Sequence, residues 1–212
     1  MFGNILTISN GKLSLKLRPA HERDIPAIAE RISDWEVKKY LGRVGGVIEK
    51  NERDWVEKVS NTQDSMIWFI EGEDSDIAIG STGVHNIDGF NGTCTSGIVI
   101  WNKESWGNGI ASLAHIARTW FVGKQMGIKT IQSEVFALNE ASYKALLKVG
   151  YFVVGVNPRI KYVDGRYIDK YNLGWLNPIF IDILYPDKIP DKYIKPLEIA
   201  KETLEKGDKW IS

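Results

Sequence analysis

Two closely spaced glycines, Gly107 and Gly109, separate an apolar stretch from a segment with helical periodicity. A helix that begins at such glycines presents unpaired backbone N–H groups and the positive end of its dipole. Glycine also lets an anion approach the backbone, because it has no Cβ to block the approach. The spacing therefore predicts a phosphate or diphosphate site. The same glycines could instead only shape a loop, and their spacing alone does not separate the two interpretations.

Other motif classes fit the glycine segment less well. It lacks the Gly-Lys-Ser/Thr of a P-loop, and Ser112 stands where the dinucleotide pattern G-x-G-x-x-G requires a glycine. Cys94 is the only cysteine, so the sequence holds neither an internal disulfide framework nor a thiolate cluster for zinc. We therefore expect no metal site.

The glycines follow a predicted strand and open the most periodic helix of the chain. Residues 93–101 are typical of a strand, and apolar residues recur at helical spacing from position 110 to position 121. A strand at residues 128–136 precedes a helix that starts at Asn139 and ends before Gly150. The other strands predicted before the tail cover residues 13–18, 66–70, 77–87, 151–156 and 160–175, and the other helices cover residues 24–32 and 51–59.

The order of these elements, β-α-α-β-β-β-α-β-α-β-β, predicts an α/β (α+β) fold with a mixed sheet and helices on its faces. Asp164 and Gly165 interrupt the last strand with a strong hairpin signal. After residue 176, prolines lie among aliphatic residues, and residues 196–206 predict a short amphipathic helix. This tail is too short for a core of its own. We therefore expect one domain, residues 1–176, and an extension packed on it, residues 177–212.

The bulk composition limits the class of partner. Lys plus Arg equals Asp plus Glu at 27 each, which gives no electrostatic support for a nucleic-acid partner. No apolar run approaches the ~18 residues that a membrane span requires, and the amino-terminal residues lack a signal-peptide pattern. We expect a cytoplasmic protein that binds neither nucleic acid nor membrane. A homodimer is compatible with the sequence.

Residues 106–111 resemble the Q/R-x-x-G-x-G/A motif of the GNAT superfamily of acetyl-coenzyme-A-dependent N-acetyltransferases. Trp106 takes the Gln/Arg position, which is similar to the W-G-x-G-Y-A form common in the RimJ/RimL-like branch. Residues 139–142 and 148–151 resemble the N-x-x-S and K-x-G-F blocks of the same family. The likeness extends in the right order over about residues 12–176.

The resemblance implies the GNAT fold, a central mixed and mostly antiparallel sheet with helices on both faces. In that fold the fourth and fifth strands splay to form a cleft, and here they are the strands that end at Trp101 and near Phe136. It also implies that acetyl-coenzyme A is the co-substrate and that a primary amine attacks its thioester directly. The acceptor is then a protein N-terminus or a small-molecule amine.

The resemblance implies the residues that bind the coenzyme. Strand backbone groups pair with the pantetheine, and the amides that follow cradle the diphosphate. Direct attack needs no protein nucleophile, so Cys94 is expected to be structural. The expected coenzyme-binding residues are Val99, Ile100, Trp101, Trp106, Gly107, Asn108, Gly109, Ile110, Ala111, Ser112, Asn139 and Ser142.

A proton donor to the leaving thiolate is expected at the helix after Asn139. Many GNAT enzymes carry a tyrosine seven positions beyond this asparagine, where this chain has Leu146. Ser142 fits the RimL-like alternative, although a serine at that position could equally cap the helix, as could Asn139. Tyr143 is a further candidate donor.

Candidate proton acceptors are His85 and Glu134, acting directly or through water. Related sequences often carry Glu two residues before the glycine of the strand that precedes the coenzyme loop, but this chain has Thr95 there. The ordinary pKa of histidine, near 6.5, suits His85 to proton transfer at neutral pH.

Two other functions stay open. Leu146 and Thr95, at positions where catalytic groups often lie, are compatible with a non-catalytic acyl-coenzyme-A-binding or regulatory module. The chain could also be an interaction protein that binds its partner through the tail from residue 177 onward.

Overall fold

A computed structural model describes residues 1–42, 45–73 and 75–212 and contains one eight-stranded sheet. Its strands are β1 Leu6–Ser9, β2 Ser14–Arg18, β3 Met66–Gly72, β4 Ser75–Asp88, β5 Thr93–Ile100, β6 Thr130–Phe136, β7 Phe152–Val163 and β8 Arg166–Leu176. The order across the sheet is β1-β2-β3-β4-β5-β6-β8-β7. Neighbouring strands are antiparallel except β5 and β6, which are parallel.

Helices cover both faces of the sheet. They are α1 Ile25–Ser33, α2 Trp35–Lys38, α3 Glu49–Asn61, α4 Ile110–Trp120, α5 Glu140–Leu147, α6 Ile181–Leu184 and α7 Asp191–Trp210. Neighbouring residues of a strand point to opposite faces, and both Trp68 and Phe69 of β3 are fully buried. Trp68 belongs to the core beneath α4 and α7, and Phe69 belongs to the core beneath α1 and α3. The predicted mixed, mostly antiparallel sheet with helices on both faces is confirmed.

The parallel pair of strands opens along its length. Residues 93–96 of β5 pair with residues 130–133 of β6, and Ser96 opposite Ser133 is the last pair. Beyond it, β5 continues beside β4 to Ile100, and β6 continues beside β8 to Phe136. Because each strand follows a different neighbour, a wedge forms between them.

Among the strands, the largest differences from the prediction are at β1, β7 and β8. β1 was not predicted, because a four-residue strand gives little periodic signal; its Thr7 exchanges backbone hydrogen bonds with Ser212, at 3.0 and 3.2 Å. The predicted strands at 151–156 and 160–175 are rearranged into β7 and β8, joined by the expected turn at Asp164 and Gly165. The pairing shifts register between Asn157 and Lys161, which explains the gap in the sequence pattern.

The carboxyl-terminal helix is longer than predicted. α7 contains Gly207, which was expected to lie beyond the helix end. A Cβ on Gly207 would lie 2.3 Å from Cδ1 of Trp120 on α4, so glycine here allows close helix packing. Ala200 and Leu204 of α7 are buried in the core beneath the sheet. No helix among the described residues is long and apolar enough to cross a membrane.

Candidate active site

A cleft of about 370 Å³ opens where β5 and β6 separate. It joins four parts of the chain: residues 37–41, the end of β5, the loop and first turn of α4, and α5 with the residues at its two ends. The residues that line it are Val37, Tyr40, Leu41, Ile98, Val99, Ile100, Ser105, Trp106, Gly107, Gly109, Ile110, Ala111, Ser112, Asn139, Ala141, Ser142, Lys144, Ala145 and Lys148.

Backbone amides without partners face this cleft at the start of α4. Trp106 donates its N–H to Lys103 O at 3.0 Å, and the first helical hydrogen bond runs from Leu113 to Gly109 O at 3.1 Å. Between them, the N–H groups of residues 107–112 have no acceptor within the described part of the chain. These consecutive donors, at the positive end of a helix of 11 residues, can bind an anion.

Gly107 and Gly109 give this turn its shape. Their φ angles are +80° and +85°, in the left-handed region that side chains other than glycine rarely adopt. A Cβ built on either residue would meet no atom within 4 Å, so both positions face open space. An anion can therefore reach the amides directly.

The charged side chains that line the cleft are both cationic. They are Lys144 of α5 and Lys148, the residue that follows the helix, and both are exposed. Lys144 pairs with Glu140 at 2.8 Å, whereas Lys148 forms no ion pair with any described residue. The electrostatic balance of the cleft favours an anionic ligand. Lys148 lies in the predicted K-x-G-F block, but its position beside the cleft needed the structure.

The edge of β5 that faces the wedge differs from the prediction. Trp101 donates its N–H to Ile79 O of β4 at 3.1 Å. Because the groups of an antiparallel strand alternate between its two neighbours, Val99 also bonds to β4, while Ile98 and Ile100 point into the wedge. The Ile100 carbonyl accepts a hydrogen bond from Trp106 Nε1 at 2.9 Å. The N–H groups of Ile98 and Ile100 are thus the ones placed to pair with an extended ligand.

Two predicted coenzyme residues do not line the cleft. The Trp101 side chain is buried, and its Nε1 donates to Ala78 O at 2.9 Å on the far side of β5. The Asn108 side chain turns back to donate to Glu104 O at 3.3 Å, so Asn108 offers the site only its backbone N–H. Ile98 is absent from the expected coenzyme-binding residues, although Ile100 is among them and backbone groups two residues apart in a strand point to the same edge.

Asn139 and Ser142 have separable roles at the start of α5. Asn139 Oδ1 accepts a hydrogen bond from the Ser142 N–H at 3.1 Å, which makes Asn139 the N-cap. The half-buried Ser142 lines the cleft, and its hydroxyl has no partner among the residues that the structure describes. Leu146 is buried, and Tyr143 packs against Tyr171 with ring centroids 5.1 Å apart. Ser142 therefore offers the free hydroxyl at this end of the cleft.

His85 lies on the sheet face that carries α1 and α3, outside the residues that line the cleft. It stands beside Thr95 in the ladder, and Thr95 stands beside Gln132. Its exposed ring has Nδ1 3.4 Å from Ser65 Oγ. Loss of hydration lowers the pKa of His85, the Asp64 carboxylate opposes this, and the positive charge of Arg118 adds to it. The imidazole is neutral and able to accept a proton at neutral pH.

Glu134 lies on the same face as His85, two residues beyond Gln132. It is the first residue of β6 beyond the last pair with β5. Its exposed carboxylate pairs with Lys170 at 2.9 Å. Neither Glu134 nor His85 lines the cleft, so either would act from the opposite side of the wedge.

Lys161 ties the β7–β8 hairpin to the segment that follows α2. Its Nζ donates to Lys39 O at 2.7 Å and to Leu41 O, and it lies 4.3 Å from the centroid of the Phe136 ring. Loss of hydration lowers the pKa of this ammonium group. Tyr40 and Leu41 both line the cleft, so Lys161 holds one of its walls in place. Nothing in the local sequence indicates this contact.

The described residues contain no group of three or more His, Cys, Asp and Glu side chains arranged to hold a metal ion.

Comparison with known proteins gives a family match. The profile of the acetyltransferase (GNAT) domain matches residues 14–151. The chain is 29% identical over 164 residues to the uncharacterized N-acetyltransferase YoaA of Bacillus subtilis (strain 168), a match that covers 73% of this chain and 89% of that protein.

Solved structures share the fold. The spermidine N-acetyltransferase of Vibrio cholerae in complex with CoA and spermine aligns with a TM-score of 0.71 at 16% identity, over 79% of this chain and 98% of that one. RimJ of Mycobacterium smegmatis in complex with CoA-disulfide aligns with a TM-score of 0.69 at 19% identity, over 82% and 86%. A GNAT-family acetyltransferase from Bacillus anthracis aligns with a TM-score of 0.67 at 24% identity, over 81% and 98%.

Proposed function

The chain belongs to the acetyltransferase (GNAT) domain family and is an acyltransferase, and from this premise we propose that it transfers acetyl from acetyl-coenzyme A to a primary amine. The observation that carries the proposal is the run of free amides at residues 107–112, which face an open cleft. Two glycines leave this cradle accessible. Its size and charge fit a diphosphate.

The residues proposed to hold the coenzyme follow from this fit. Amides 107–112 would bind the diphosphate, and Lys148 would lie beside it with an unpaired positive charge. The N–H groups of Ile98 and Ile100 would pair with the pantetheine, in place of the groups of Val99 and Trp101. Acetyl-coenzyme A, when bound, supplies a thioester that amines can attack.

In the proposed reaction, the neutral amine nitrogen forms a bond to the acetyl carbon. The carbon–sulfur bond breaks, and its electron pair leaves on sulfur. The Ser142 hydroxyl, free and facing the cleft, is the proposed proton donor to this sulfur, and it recovers a proton from solvent. The proton lost by the amine goes to His85 or Glu134, directly or through water, because both lie on the opposite face of the wedge.

The finer assignments are proposals as well. The W-G-x-G form of residues 106–109 supports the RimJ/RimL-like branch. The acceptor is a protein N-terminus or a small-molecule amine; the spermidine acetyltransferase at 16% identity shares only the fold. We place the acetyltransferase domain at residues 1–176 and an extension at residues 177–212. The family match, which ends at residue 151, lies inside this domain.

A charge reversal at the cradle tests the coenzyme site. Gly109→Glu adds a carboxylate where the diphosphate should bind, so we expect coenzyme A affinity to fall ~100-fold by titration calorimetry. Gly11→Glu is the matched control: Gly11 has a φ of +81°, also faces open space, and lies in the β1–β2 turn. It should carry the same backbone strain without losing affinity. Equal affinity in both variants would show that the coenzyme binds elsewhere.

Thiol release separates transfer from mere binding. His85 and Glu134 do not line the cleft, and this favours one alternative, a non-catalytic acyl-coenzyme-A-binding module. We expect acetyl-coenzyme A with a panel of amines and peptides to yield free thiol and an acetylated amine. If the coenzyme binds but no acceptor ever yields thiol, the alternative is correct.

A further inference from the structure

A fully buried arginine lies beneath the point where the sheet opens. Arg118 of α4 donates from Nη1 to Thr82 Oγ1 at 2.9 Å and to Gly97 O at 3.2 Å, and from Nη2 to Tyr151 OH at 3.2 Å. Its Nε has no partner, and it forms no ion pair with any carboxylate that the structure describes. A buried cation without an anion is costly. Stability of the fold therefore does not account for this residue.

The titratable groups around Arg118 do not neutralise it. Burial lowers the pKa of His115, one turn earlier on α4, well below its ordinary value, and Arg118 adds to the effect. Burial raises the pKa of the Cys94 thiol to about 12, with Arg118 opposing. Both groups are neutral at neutral pH. Neither of these groups therefore supplies a negative charge to balance Arg118.

Arg118 lies directly behind the peptide that begins the free edge of β5. Gly97 follows Ser96, the last residue of β5 paired with β6, and Ile98 lines the cleft. A Cβ on Gly97 would meet nothing within 4 Å, so the face away from Arg118 is open. The charge of Arg118 also acts on His85, on the other face of the sheet. Loss of hydration lowers the pKa of His85, the Asp64 carboxylate opposes this, and Arg118 lowers the pKa further.

We propose that Arg118 is a positioning residue for acetyl transfer. Acting through the Gly97–Ile98 peptide, it stabilises the negative charge that develops on the thioester oxygen and sulfur. The inference rests on the proposed function. Donation to Gly97 O polarises the peptide, so the Ile98 N–H becomes a stronger donor towards the cleft. Arg118 itself neither gains nor loses a proton and forms no covalent bond.

Removal of the guanidinium leaves its protein partners bonded. Gly97 O still accepts from Thr82 Oγ1 at 3.0 Å, and Tyr151 OH still bonds to Ser96 Oγ at 3.0 Å. Methionine is apolar and unbranched, and it replaces the aliphatic part of the arginine side chain without the guanidinium group. We therefore expect Arg118→Met to fold with a melting temperature equal to or above that of the wild type, since replacing buried charges by apolar residues is often neutral or stabilising.

The pKa of the thiol of bound coenzyme A measures the electrostatic effect of Arg118 in the absence of turnover. Thiolate absorbance in the ultraviolet gives its pKa in the complex. We expect this pKa to be about one unit higher in Arg118→Met than in the wild type, and Arg118→Lys to keep the wild-type value. Ser133→Ala is the matched control and should keep the wild-type thiol pKa, because it removes a neighbouring buried hydrogen bond, from Ser133 Oγ to Ser96 O at 3.2 Å, and leaves Arg118 with all of its partners.

Turnover gives the second readout. We expect kcat to fall ~10-fold in Arg118→Met and to recover in Arg118→Lys, with coenzyme A affinity within about twofold of the wild type. Equal thiol pKa values in wild type and Arg118→Met would overturn the proposal. So would an Arg118→Met variant that does not fold, because the arginine would then serve stability. A wild type that binds no coenzyme A would instead overturn the proposed function.

Discussion

Asn139 and Ser142, at the start of α5, have different roles, one structural and one proposed to be chemical. The Asn139 side chain caps the helix by accepting from the Ser142 N–H at 3.1 Å. The Ser142 hydroxyl faces the cleft and has no partner in the described part of the chain. A cap contributes to stability, whereas a free hydroxyl contributes only when a ligand arrives.

These roles predict opposite effects of two alanine variants. Ser142→Ala should lower kcat at least ~10-fold and leave the melting temperature unchanged, because it removes only the proposed donor. Asn139→Ala should cost about 1 kcal/mol of unfolding free energy, because it removes the cap. Steady-state kinetics and urea denaturation measure the two. A Ser142→Ala variant with wild-type kcat would remove Ser142 from the mechanism.

At the scale of secondary-structure elements, the cleft exists because β5 and β6 each follow a different neighbour. One wall of the cleft comes from the segment after α2, which Lys161 of β7 holds through two backbone carbonyls. This contact joins the β7–β8 hairpin to Tyr40 and Leu41. The Lys161 side chain thus connects two segments that are far apart in the chain, the β7–β8 hairpin and the segment after α2.

Loss of the Lys161 contact should therefore loosen the cleft wall that Tyr40 and Leu41 form. Lys161→Met keeps most of the length of the side chain but removes both hydrogen bonds, so the hairpin can move away from the cleft wall. Because this wall lines the proposed coenzyme cleft, we expect coenzyme A affinity to fall about 5-fold. Lys12→Met, at an exposed turn, is the control. Wild-type coenzyme A affinity in Lys161→Met would show that Lys161 does not hold this wall in place.

For the whole molecule, the core between the sheet and α4 joins the first and last parts of the chain. α7 packs on α4, where Gly207 meets Trp120, and Asp208 accepts hydrogen bonds from Trp120 Nε1 at 2.8 Å and Lys124 Nζ at 2.7 Å. His115 lies in the same layer with neither ring nitrogen bonded to a described residue. Polar groups inside this core make its stability depend on pH.

His115 predicts acid sensitivity of the fold. Its pKa is lowered well below the ordinary value by burial, and further by Arg118. The unfolded chain therefore binds a proton below about pH 6.5 that the folded chain does not, so stability is full above that pH and falls as the pH drops. His85 acts in the same direction, because its pKa is also lowered.

His115→Leu should flatten this dependence. We expect the slope of unfolding free energy between pH 6.5 and 4.5 to decrease by up to ~1.4 kcal/mol per pH unit. Stability at pH 7 should be unchanged or higher, because two unbonded ring nitrogens leave the core. His21→Gln, at an exposed position, should keep the wild-type slope. Urea denaturation across the pH range measures both, and a wild-type slope in His115→Leu would contradict the assignment.

The local features of the chain could be predicted from its sequence. The glycine turn at residues 107–109, the N-cap Asn139 and the hairpin at Asp164 and Gly165 all occur where expected. Each is decided by backbone preferences and hydrogen bonds within a few residues. The alternation of side chains likewise predicted the strands at residues 13–18 and 128–136, because it records which face of a strand is buried.

Only the tertiary structure decided the rest. The edge of β5 that faces the wedge, with Ile98 rather than Trp101, depends on the register with β4. The Lys161 contact and the burial of Arg118 depend on elements that lie far apart along the chain. Composition and periodicity describe how a residue relates to its neighbours in the sequence. The β5 edge, the Lys161 contact and the burial of Arg118 arise only when separate segments of the chain meet. The free energy that stabilises them comes from contacts between those segments.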